Sequence, residues 1–459
     1  MLRIDALVAE IGSTTTVVNA FDRLKSNNPL YLGQGVAPTS VTEGDVTRGL
    51  LAAIEDLKVR IGESLTWREF FATSSAAGGL RMTVHGLVHD MTVKAGNEAA
   101  LGAGAIVRMV TSGVLTGFDL KKLGEIKPNI ILLAGGVDYG EYKTTFQNAT
   151  LLSDYLQSAQ YSSTVIYAGN KAIAGEVAEL FARAKVECFV AENVYPNIDD
   201  LNVGPTRKVI QKVFESNICE APGMSKIRKM VKGNILPTPG AVMEAAKIIY
   251  QELGDLMVLD VGGATTDVHS ITEAPLRAEL MAAGVEPKEK RTVEGDLGVY
   301  INASNLVRLA GADKIEELYG KEYQSLIKPI PTTTKEVDFI KKLLKIAVQT
   351  AVSRHVGSIK PLYGQNGRMS LLVGKDLSYI KWIVGTGGAL TRIEGGQELL
   401  SQLRRQPNSR ELLPGPEAVT LIDKYYIMAA VGVLSLQYPR AAFFLLAKSF
   451  EIDIPEVIS

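Results

Sequence analysis

Two short segments of the sequence carry an acidic residue two positions before a glycine, with threonines after it. They are LVAEIGSTTTVVNAF (residues 7–21) and LMVLDVGGATTDVHSI (residues 256–271). Alignment of the two pairs Glu10 with Asp260, Gly12 with Gly262, Ser13 with Gly263, Thr14 with Ala264 and Thr15 with Thr265. Each segment predicts a strand that ends near an acid, a tight turn and a second strand. The repetition indicates two similar domains that face each other.

Tight turns of this kind can bind phosphate, because successive backbone N–H groups point towards one anion. A polyphosphate between the two domains would take N–H groups from both turns, and Glu10 and Asp260 would lie near its magnesium ion. GTGG (residues 385–388) follows a third predicted strand and would let the backbone approach the adenosine side of a nucleotide. Side chains at Gly263 or Gly387 are therefore expected to block the ligand. Three ordinary tight turns are the structural alternative.

The other common nucleotide-binding motifs do not fit the sequence. A Walker loop, G-x-x-x-x-G-K-[ST], is absent, and GTGGAL lacks the full Rossmann spacing. Gly102 and Gly104 lie inside a helix-like run rather than between a strand and a helix. LLAGG (residues 132–136) is a further glycine turn after an apolar run, but it has no acid partner and is interpreted as structural. A nucleotide would therefore be held by the two-domain arrangement.

The composition is that of an ordinary globular protein, with 459 residues, 46% hydrophobic and 22% charged. This length predicts about two to four domains. The formal net charge of −1 gives the protein no overall electrostatic attraction to nucleic acid or to an anionic membrane. Two cysteines without a CxxC motif fit a reducing compartment. Early acids, Asp5 and Glu10, argue against a signal peptide. We expect a cytoplasmic protein with no nucleic-acid or membrane partner.

Hydrophobic periodicity predicts an α/β protein. Strand-like runs at residues 7–11, 16–21 and 31–35, then a helix after Asp45, match the start of a ribonuclease-H-like domain. The strand, turn and strand at residues 256–271 begin the same scheme again. The apolar run at residues 425–447 is split by Pro439 and predicts buried helices, because each part is shorter than the roughly 20 residues of a membrane span.

The region between these two domains follows a different pattern. Continuous apolar runs separated by helices favour a parallel sheet. Residues 98–110 predict a helix of small residues, and the weak periodicity of residues 198–236 predicts a long irregular excursion.

The histidines and one further acid are weaker candidates. His85 and His89 are four residues apart and could share a helix face that binds a metal, but Gly86 and the lack of a third ligand argue against it. His269 is expected to pack or to form hydrogen bonds, and Glu294 to be a structural acid.

EIGSTTT, LDVGGATTD and VGTGG occur in this order and resemble the phosphate-1, phosphate-2 and adenosine motifs of the actin–hexokinase–heat-shock-chaperone ATPase superfamily. Further segments, SSAAGGLRM, ILLAGGVDYG, PTPGAV, RTVEGDLG and VGTGGALT, resemble the accessory proteins of glutamate mutase, the MutL or GlmL family. This family is unrelated to the mismatch-repair protein that shares the first name. The likeness covers most of the chain.

The resemblance implies an α/β fold of two ribonuclease-H-like (actin-like ATPase) domains, with an α/β insertion in the first. The first lobe would span residues 1–240, with the insertion at about 75–235. The second lobe would span residues 241–459 and include the C-terminal helices.

The resemblance also implies a function. It indicates a slow, magnesium-dependent ATPase that binds ATP and ADP and acts as a reactivating chaperone for an adenosylcobalamin-dependent mutase. The partner would be glutamate mutase or a related aminomutase, from which the chaperone promotes the release of damaged cobalamin. A small-molecule kinase of the same superfamily is the main alternative, and a nucleotide-dependent scaffold is a third. The oligomeric state is left open.

Residue by residue, the resemblance gives catalytic roles to Glu10, Asp260 and Asp267, the first two also near hydrated magnesium. The nucleotide would contact Gly12, Ser13, Thr14, Thr15, Gly262, Gly263, Ala264, Thr265, Gly385, Thr386, Gly387 and Gly388. Two positions depart from the superfamily pattern. Glu10 stands where aspartate is usual, and its extra methylene moves the carboxylate by about 1.5 Å. Ala264 replaces a common glycine. Both departures favour nucleotide binding with slow turnover.

Overall fold

The computed structural model describes residues 1–12, 15–40, 45–75, 81–103, 105–159, 161–198, 200–218, 223–233, 235–273, 282, 285–364, 367–407 and 409–453. The strands of this part of the chain are β1 (Leu2–Ile11), β2 (Thr15–Asp22), β3 (Leu30–Pro38), β4 (Leu65–Ser74), β5 (Arg81–Gly86), β6 (Ile106–Ser112), β7 (Ile130–Leu133), β8 (Thr164–Tyr167), β9 (Cys188–Val190), β10 (Leu236–Pro237), β11 (Leu256–Val261), β12 (Thr266–Ile271), β13 (Glu289–Glu294), β14 (Ser358–Gly364), β15 (Gly367–Val373), β16 (Trp382–Thr386) and β17 (Val419–Ile422).

The α-helices of the same residues are α1 (Thr47–Ile61), α2 (Lys94–Gly102), α3 (Gly117–Ile126), α4 (Lys143–Ser158), α5 (Ala174–Arg183), α6 (Val203–Ile218), α7 (Met224–Met230), α8 (Thr238–Leu253), α9 (Ala303–Ala310), α10 (Ala312–Tyr319), α11 (Thr334–His355), α12 (Gly388–Arg392), α13 (Gly396–Ser401), α14 (Met428–Ser435) and α15 (Pro439–Ser449). A π-helical turn at His89–Val93 leads into α2.

Contacts divide the chain into two compact units. The first consists of Met1–Thr73, Met230–Asn234 and Ala241–Ser459, and the second of Ser74–Lys229 and Ile235–Gly240. The two segments that carry an acid before a glycine turn both lie in the first unit. The division into actin-like lobes at residues 1–240 and 241–459 stays a prediction.

Two five-stranded sheets repeat one topology. The first sheet has the order β3-β2-β1-β4-β10, and the second has the order β13-β12-β11-β16-β17. In the second sheet β11, β12 and β13 are antiparallel neighbours, while β16 and β17 run parallel to β11. Numbered within its own domain, each sheet reads 3-2-1-4-5. This order confirms the predicted α/β fold with two ribonuclease-H-like domains.

The repeated hairpins share one register. We call β1–β2 the first hairpin and β11–β12 the second hairpin. Glu10 lies opposite Val17 in the first, and Asp260 lies opposite Asp267 in the second. Each pair of opposed residues in the first hairpin therefore has an equivalent pair in the second hairpin at residue numbers higher by 250. The alignment made from sequence holds in three dimensions, and it shows that the first hairpin has Val17 where the second has an acid.

The second sheet is supported by one long helix. α11 begins with a capping box, in which the Thr333 hydroxyl accepts a hydrogen bond from the Glu336 N–H, and Glu336 bonds back to the N-cap backbone. Its buried face includes Phe339, Leu343 and Ala347, which belong to one apolar cluster with residues of β11 and β12. Because this face fixes the strands from one side, the other side of the sheet is left to carry the acids.

The second unit contains an open sheet of the order β6-β5-β7-β8-β9, and all of its pairs are parallel. This confirms the parallel sheet expected from continuous apolar runs. The helices α3, α4 and α5 cover it through a cluster that includes Leu123, Leu152 and Phe181.

Two predictions for this unit were wrong. Residues 98–110 are not one helix, because α2 ends at Gly102 and the apolar Ile106–Ser112 segment pairs with β5 as a strand. Residues 198–236 are not an irregular excursion, since α6 and α7 lie there. Pro205 obscured α6, although proline is tolerated in the first turn of a helix.

The C-terminal apolar run forms the two buried helices that its sequence predicts. No helix among the described residues combines the length and apolar content that crossing a bilayer requires. α14 packs directly on α8, and a Cβ at Gly432 would lie 1.8 Å from the carbonyl oxygen of Ala241.

We predict that Gly432→Ala lowers the free energy of unfolding by about 1–3 kcal/mol, because the added methyl group must push two helix backbones apart. Gly175→Ala in α5 is the matched control, since a Cβ at Gly175 would have nothing within 4 Å. There the methyl group should be neutral or stabilising by up to about 1 kcal/mol. Denaturant unfolding measures both, and equal effects would contradict the close packing of α14 on α8.

Candidate functional site

Each hairpin turn is closed by the same backbone hydrogen bond. The N–H of Gly12 donates to the carbonyl of Thr15 at 3.0 Å, and the N–H of Gly262 donates to the carbonyl of Thr265 at 2.9 Å. These two N–H groups are therefore engaged within the turns, and any phosphate donors must come from the residues between them. Ser13 and Thr14 of the first turn lie outside the described residues.

The second turn is held from behind by the segment that precedes α9. The carbonyl of Gly263 accepts hydrogen bonds from the N–H groups of Tyr300 (2.9 Å) and Ile301 (2.7 Å). The side-chain amide of Asn302 donates to the carbonyl of Ala264 at 2.7 Å. A turn whose carbonyls are fixed on one side keeps a constant backbone orientation, which is what a preformed anion site requires.

The structure brings carboxylates from both hairpins together. Glu10 is buried, and burial raises the pKa of its carboxyl group from 4.5 to about 7. The pKa of Asp260 is raised well above its ordinary value, first by burial and then by the negative charges of Asp267, Glu10 and Asp423. The first hairpin acid is thus an electrostatic neighbour of the second.

Asp423 is a third acid of this region that sequence reasoning missed. It is fully buried directly after β17 and accepts hydrogen bonds from the hydroxyls of Thr386 (2.9 Å) and Ser449 (2.6 Å). Burial raises the pKa of Asp423, while these bonds oppose the rise. A strand that ends in an acid, VTLID, was the available signal. Asp423 fixes the GTGG loop through Thr386.

Asp267 has a different environment from the other acids. It is buried and forms an ion pair with Arg291, whose Nη2 lies 2.8 Å from Asp267 Oδ1. Arg291 is itself 1% exposed. Asp267 is thus one half of a buried ion pair on the second hairpin.

The glycines of the GTGG loop have separate roles. Gly387 has φ +86°, and a Cβ there would lie 2.6 Å from Asp260 Oδ1 and 2.5 Å from the carbonyl of Val261. The expectation that a side chain at Gly387 would act by blocking a ligand needs correction, because it would first clash with β11. Gly388 is different, since a Cβ there meets nothing within 4 Å.

Tyr426, which follows β17, contacts the acid of the first hairpin and was also missed. Its phenol donates a hydrogen bond to Glu10 Oε1 at 3.2 Å. Burial, followed by the charges of Glu10 and Asp260, raises the pKa of Tyr426 well above its ordinary value. No sequence motif indicated this contact, which joins residues more than 400 positions apart.

The weaker candidates have structural roles. His85 lies in β5 and its ring nitrogens form hydrogen bonds with the hydroxyls of Thr111 (2.7 Å) and Thr83 (2.9 Å), whereas His89 begins the π-helical turn, so the two histidines share no helix face. Glu294 contacts the Arg354 guanidinium at 2.6 Å, and burial raises the pKa of its carboxyl group.

The donor set fits a hydrated divalent cation. Among the described residues, no three His, Cys, Asp or Glu side chains form a complete metal-binding group. Magnesium, however, usually keeps several waters and takes only one or two protein carboxylates together with substrate phosphates. Glu10 and Asp260 would be two such carboxylates, and a cation there would offset the repulsion that Glu10 exerts on Asp260.

We predict that Glu10 makes stability depend on pH. Its folded-state pKa of about 7 lies above the ordinary 4.5, so the native state binds the proton more tightly. The resulting stabilisation is complete below about pH 4.5 and is lost as pH rises through about 7. The free energy of unfolding of the wild type, relative to Glu10→Gln, should fall by up to about 3 kcal/mol between about pH 5 and pH 8. A pH-independent difference would contradict the buried, protonatable carboxyl group.

Comparison with known proteins agrees with the resemblance. The model of the family described as MutL protein matches residues 6–450. Protein MutL of Clostridium tetanomorphum is 35% identical over 461 residues, which cover 96% of this chain and 98% of that protein. The alignment with the nucleotide-free structure of acetone carboxylase covers 94% of this chain and 70% of the acetone carboxylase chain, at 12% identity and a TM-score of 0.42.

Component A of the (R)-2-hydroxyglutaryl-CoA dehydratase of Acidaminococcus fermentans covers 96% of this chain and 99% of its own, at 9% identity and a TM-score of 0.33. At these TM-scores the two structural likenesses add nothing to the sheet topology. The family model and the relative each span nearly the whole chain. The chain therefore belongs to the MutL protein family, of the glutamate mutase type and not the mismatch-repair protein of the same name.

Proposed function

We propose that this protein is a slow, magnesium-dependent ATPase that reactivates an adenosylcobalamin-dependent mutase by promoting the release of damaged cobalamin. The observation that carries the proposal is the pair of hairpins in one register, with Glu10 and Asp260 at matching positions and their charges in one buried region. Membership of the MutL family supports the mutase as partner. The proposed partner enzyme is glutamate mutase or a related aminomutase.

ATP or ADP would lie between the two hairpin turns. The phosphates would take backbone N–H groups from residues 13–15 and 263–265, and the adenosine side would lie against Gly385, Thr386 and Gly388. This arrangement requires glycine at position 387, because only a residue without a Cβ fits beside Asp260. The hydrogen bond from Thr386 to Asp423 holds the loop in place before any ligand arrives.

The carboxylates would orient the nucleotide through its cation. A bound magnesium ion would supply charge neutralisation at the phosphates. Glu10 and Asp260 would hold its water shell, and both must be ionised to do so. Asp267, paired with Arg291, adds negative charge beside Asp260. Binding of the magnesium nucleotide should therefore displace the proton that Glu10 carries near neutral pH.

Slow hydrolysis follows from the same arrangement. Among the described residues, three of the four acids near the turns are engaged within the protein: Asp423 accepts several hydrogen bonds, Asp267 pairs with Arg291 and Glu10 accepts the Tyr426 phenol. Asp260, the fourth, would be occupied by the water shell of the magnesium ion. A general base must be free to accept a proton from water in the transition state. We expect turnover below about 1 per second, under the median enzyme.

The nucleotide would act on the partner through a limited free energy. ATP and ADP can shift the partner-bound equilibrium only by their differential affinity for two conformations, typically about 1–3 kcal/mol. Such an amount is enough to open a cofactor cleft transiently and is too small to unfold a mutase. The proposal therefore requires local loosening of the mutase.

We predict that Gly388→Val weakens nucleotide binding at least about tenfold, which corresponds to about 1.4 kcal/mol. The side chain enters open space in the protein, so the fold should be unchanged while the adenosine side is obstructed. Gly117→Val is the matched control, because Gly117 also begins a helix with nothing near its Cβ. Calorimetric titration with magnesium and ATP measures the effect. Normal binding by Gly388→Val would remove this loop from the site.

We predict that the protein restores activity to an inactivated mutase only with ATP, magnesium and free adenosylcobalamin. Glutamate mutase and an aminomutase would be inactivated by turnover and assayed in parallel. Asp260→Ala should fail, because it loses a charge-assisted contact worth roughly 1–3 kcal/mol. Asp376→Asn is the control, since this acid accepts hydrogen bonds from Ser378 within a turn.

If neither mutase recovers activity nor co-purifies with the protein, the reactivation proposal is wrong. The same preparations would then be screened for ATP-dependent phosphorylation of sugars and acids, the reaction of a kinase of this superfamily.

A further inference from the structure

We propose that Tyr426 is a positioning residue that holds the carboxylate of Glu10 in the orientation needed for the magnesium nucleotide, an inference that rests on the proposed function. The phenol oxygen lies 3.2 Å from Glu10 Oε1 and donates to it. Glu10 belongs to the first hairpin, whereas Tyr426 follows the last strand of the second sheet. The contact therefore ties the first hairpin acid to the opposite domain.

The extra methylene of Glu10 explains why the hydrogen bond from Tyr426 would matter for ligand binding. Glutamate has one more rotatable bond than the aspartate that is usual at this position in the superfamily, so its carboxylate has more orientations to lose when it engages a ligand. A hydrogen bond from a fixed phenol removes that freedom in advance. The departure noted in the sequence is compensated by a residue that the motif does not include.

The backbone of Tyr426 is held in an unusual conformation. Its φ is +51°, a region that residues with a Cβ rarely adopt. Asp423 fixes the chain on both sides: its carbonyl accepts the Tyr426 N–H at 2.9 Å, and its Oδ2 accepts the N–H groups of Ile427 (2.9 Å) and Met428 (2.8 Å). Strained backbone persists where the surroundings over-determine it, and it is concentrated at ligand sites.

The ring and carbonyl of Tyr426 are held as well. The Arg392 guanidinium carbon lies 5.7 Å from the ring centroid, and Arg392 Nη2 donates to Gln34 Oε1 at 3.2 Å. Gln34 Nε2 donates to the carbonyl of Tyr426 at 3.2 Å. Gln34 lies on β3, and Arg392 ends the helix that the GTGG loop begins. The orientation of Tyr426 is thus fixed by one residue of the first sheet and one residue of the helix that follows the GTGG loop.

The neighbouring tyrosine provides a comparison within the same segment. Tyr425 stacks on Tyr31, with ring centroids 5.0 Å apart, which is a packing contact between apolar faces. Tyr426 instead directs its hydroxyl at an acid. Removal of the hydroxyl from each residue separates positioning of Glu10 from packing of the segment.

The test is calorimetric titration of Tyr426→Phe with ATP over a range of magnesium concentrations. The magnesium concentration that gives half-maximal nucleotide binding should rise about tenfold, while binding without magnesium stays as in the wild type. Tyr425→Phe should match the wild type in both. A Tyr426→Phe protein with the wild-type magnesium dependence would overturn the inference.

Two backgrounds distinguish positioning from a general structural role. In Glu10→Gln the magnesium advantage of Tyr426 should vanish, because the neutral amide has no charge to present. In Glu10→Asp the side chain is one methylene shorter, so its carboxylate is out of reach of the Tyr426 hydroxyl. Tyr426→Phe should therefore again have little effect on the magnesium dependence. An undiminished effect of Tyr426→Phe in either background would overturn the inference.

A readout without nucleotide complements these titrations. Thermal unfolding of the four proteins that combine Tyr426→Phe and Glu10→Ala, a change that removes the acceptor, should show that the two changes are coupled rather than additive, and additive shifts in Tm would count against the contact. If the wild type binds no nucleotide at all, the proposed function fails. If it binds and Tyr426→Phe behaves identically, only the role of Tyr426 fails.

Discussion

Carboxylates from two sheets share one buried region, and the arrangement of the first unit follows from this. Burial raises the pKa of Glu10 and of Asp260, and the charge of Asp423 adds to the rise in both, so the protein holds these acids at a cost in free energy. A chain selected only for stability would place apolar residues there, as it does at Val17, the counterpart of Asp267. The retained acids are best explained by a cationic ligand that offsets their charge.

Each neighbouring feature keeps these acids in place without neutralising them fully. Asp267 is paired with Arg291, Thr386 is tied to Asp423, and Tyr426 bonds Glu10. α11 fixes the second sheet from its other side. The acids are therefore presented by strands and a short anchored segment rather than by free loops, which favours a preorganised site.

The hairpins could be predicted from sequence because their signals are local. An apolar strand, an acid and a glycine turn occupy fewer than twenty consecutive residues, and the turn bonds of Gly12 and Gly262 close within four residues. The repeated sheet order followed once the second copy was recognised. α11 was predictable for the same reason, since its apolar residues recur at helical spacing.

The remaining parts of the site depend on contacts that are distant along the chain. Tyr426 and Asp423 become partners of Glu10 and Thr386 only after the second sheet has formed. The role of Gly387 was misjudged because the atom a side chain would meet belongs to β11, not to a ligand. The strand at Ile106–Ser112 was misread as helix because its pairing with β5 outweighs the local run of small residues.

The central claim is that the two hairpins form one site for a magnesium nucleotide. The most direct measurement is a crystal structure with a non-hydrolysable ATP analogue and Mn²⁺, which takes oxygen ligands as Mg²⁺ does and can be located by anomalous scattering. We expect an anomalous peak within coordination or one-water distance of Glu10 and Asp260, with phosphates against both turns. A nucleotide bound elsewhere, or a metal that approaches neither acid, would contradict it.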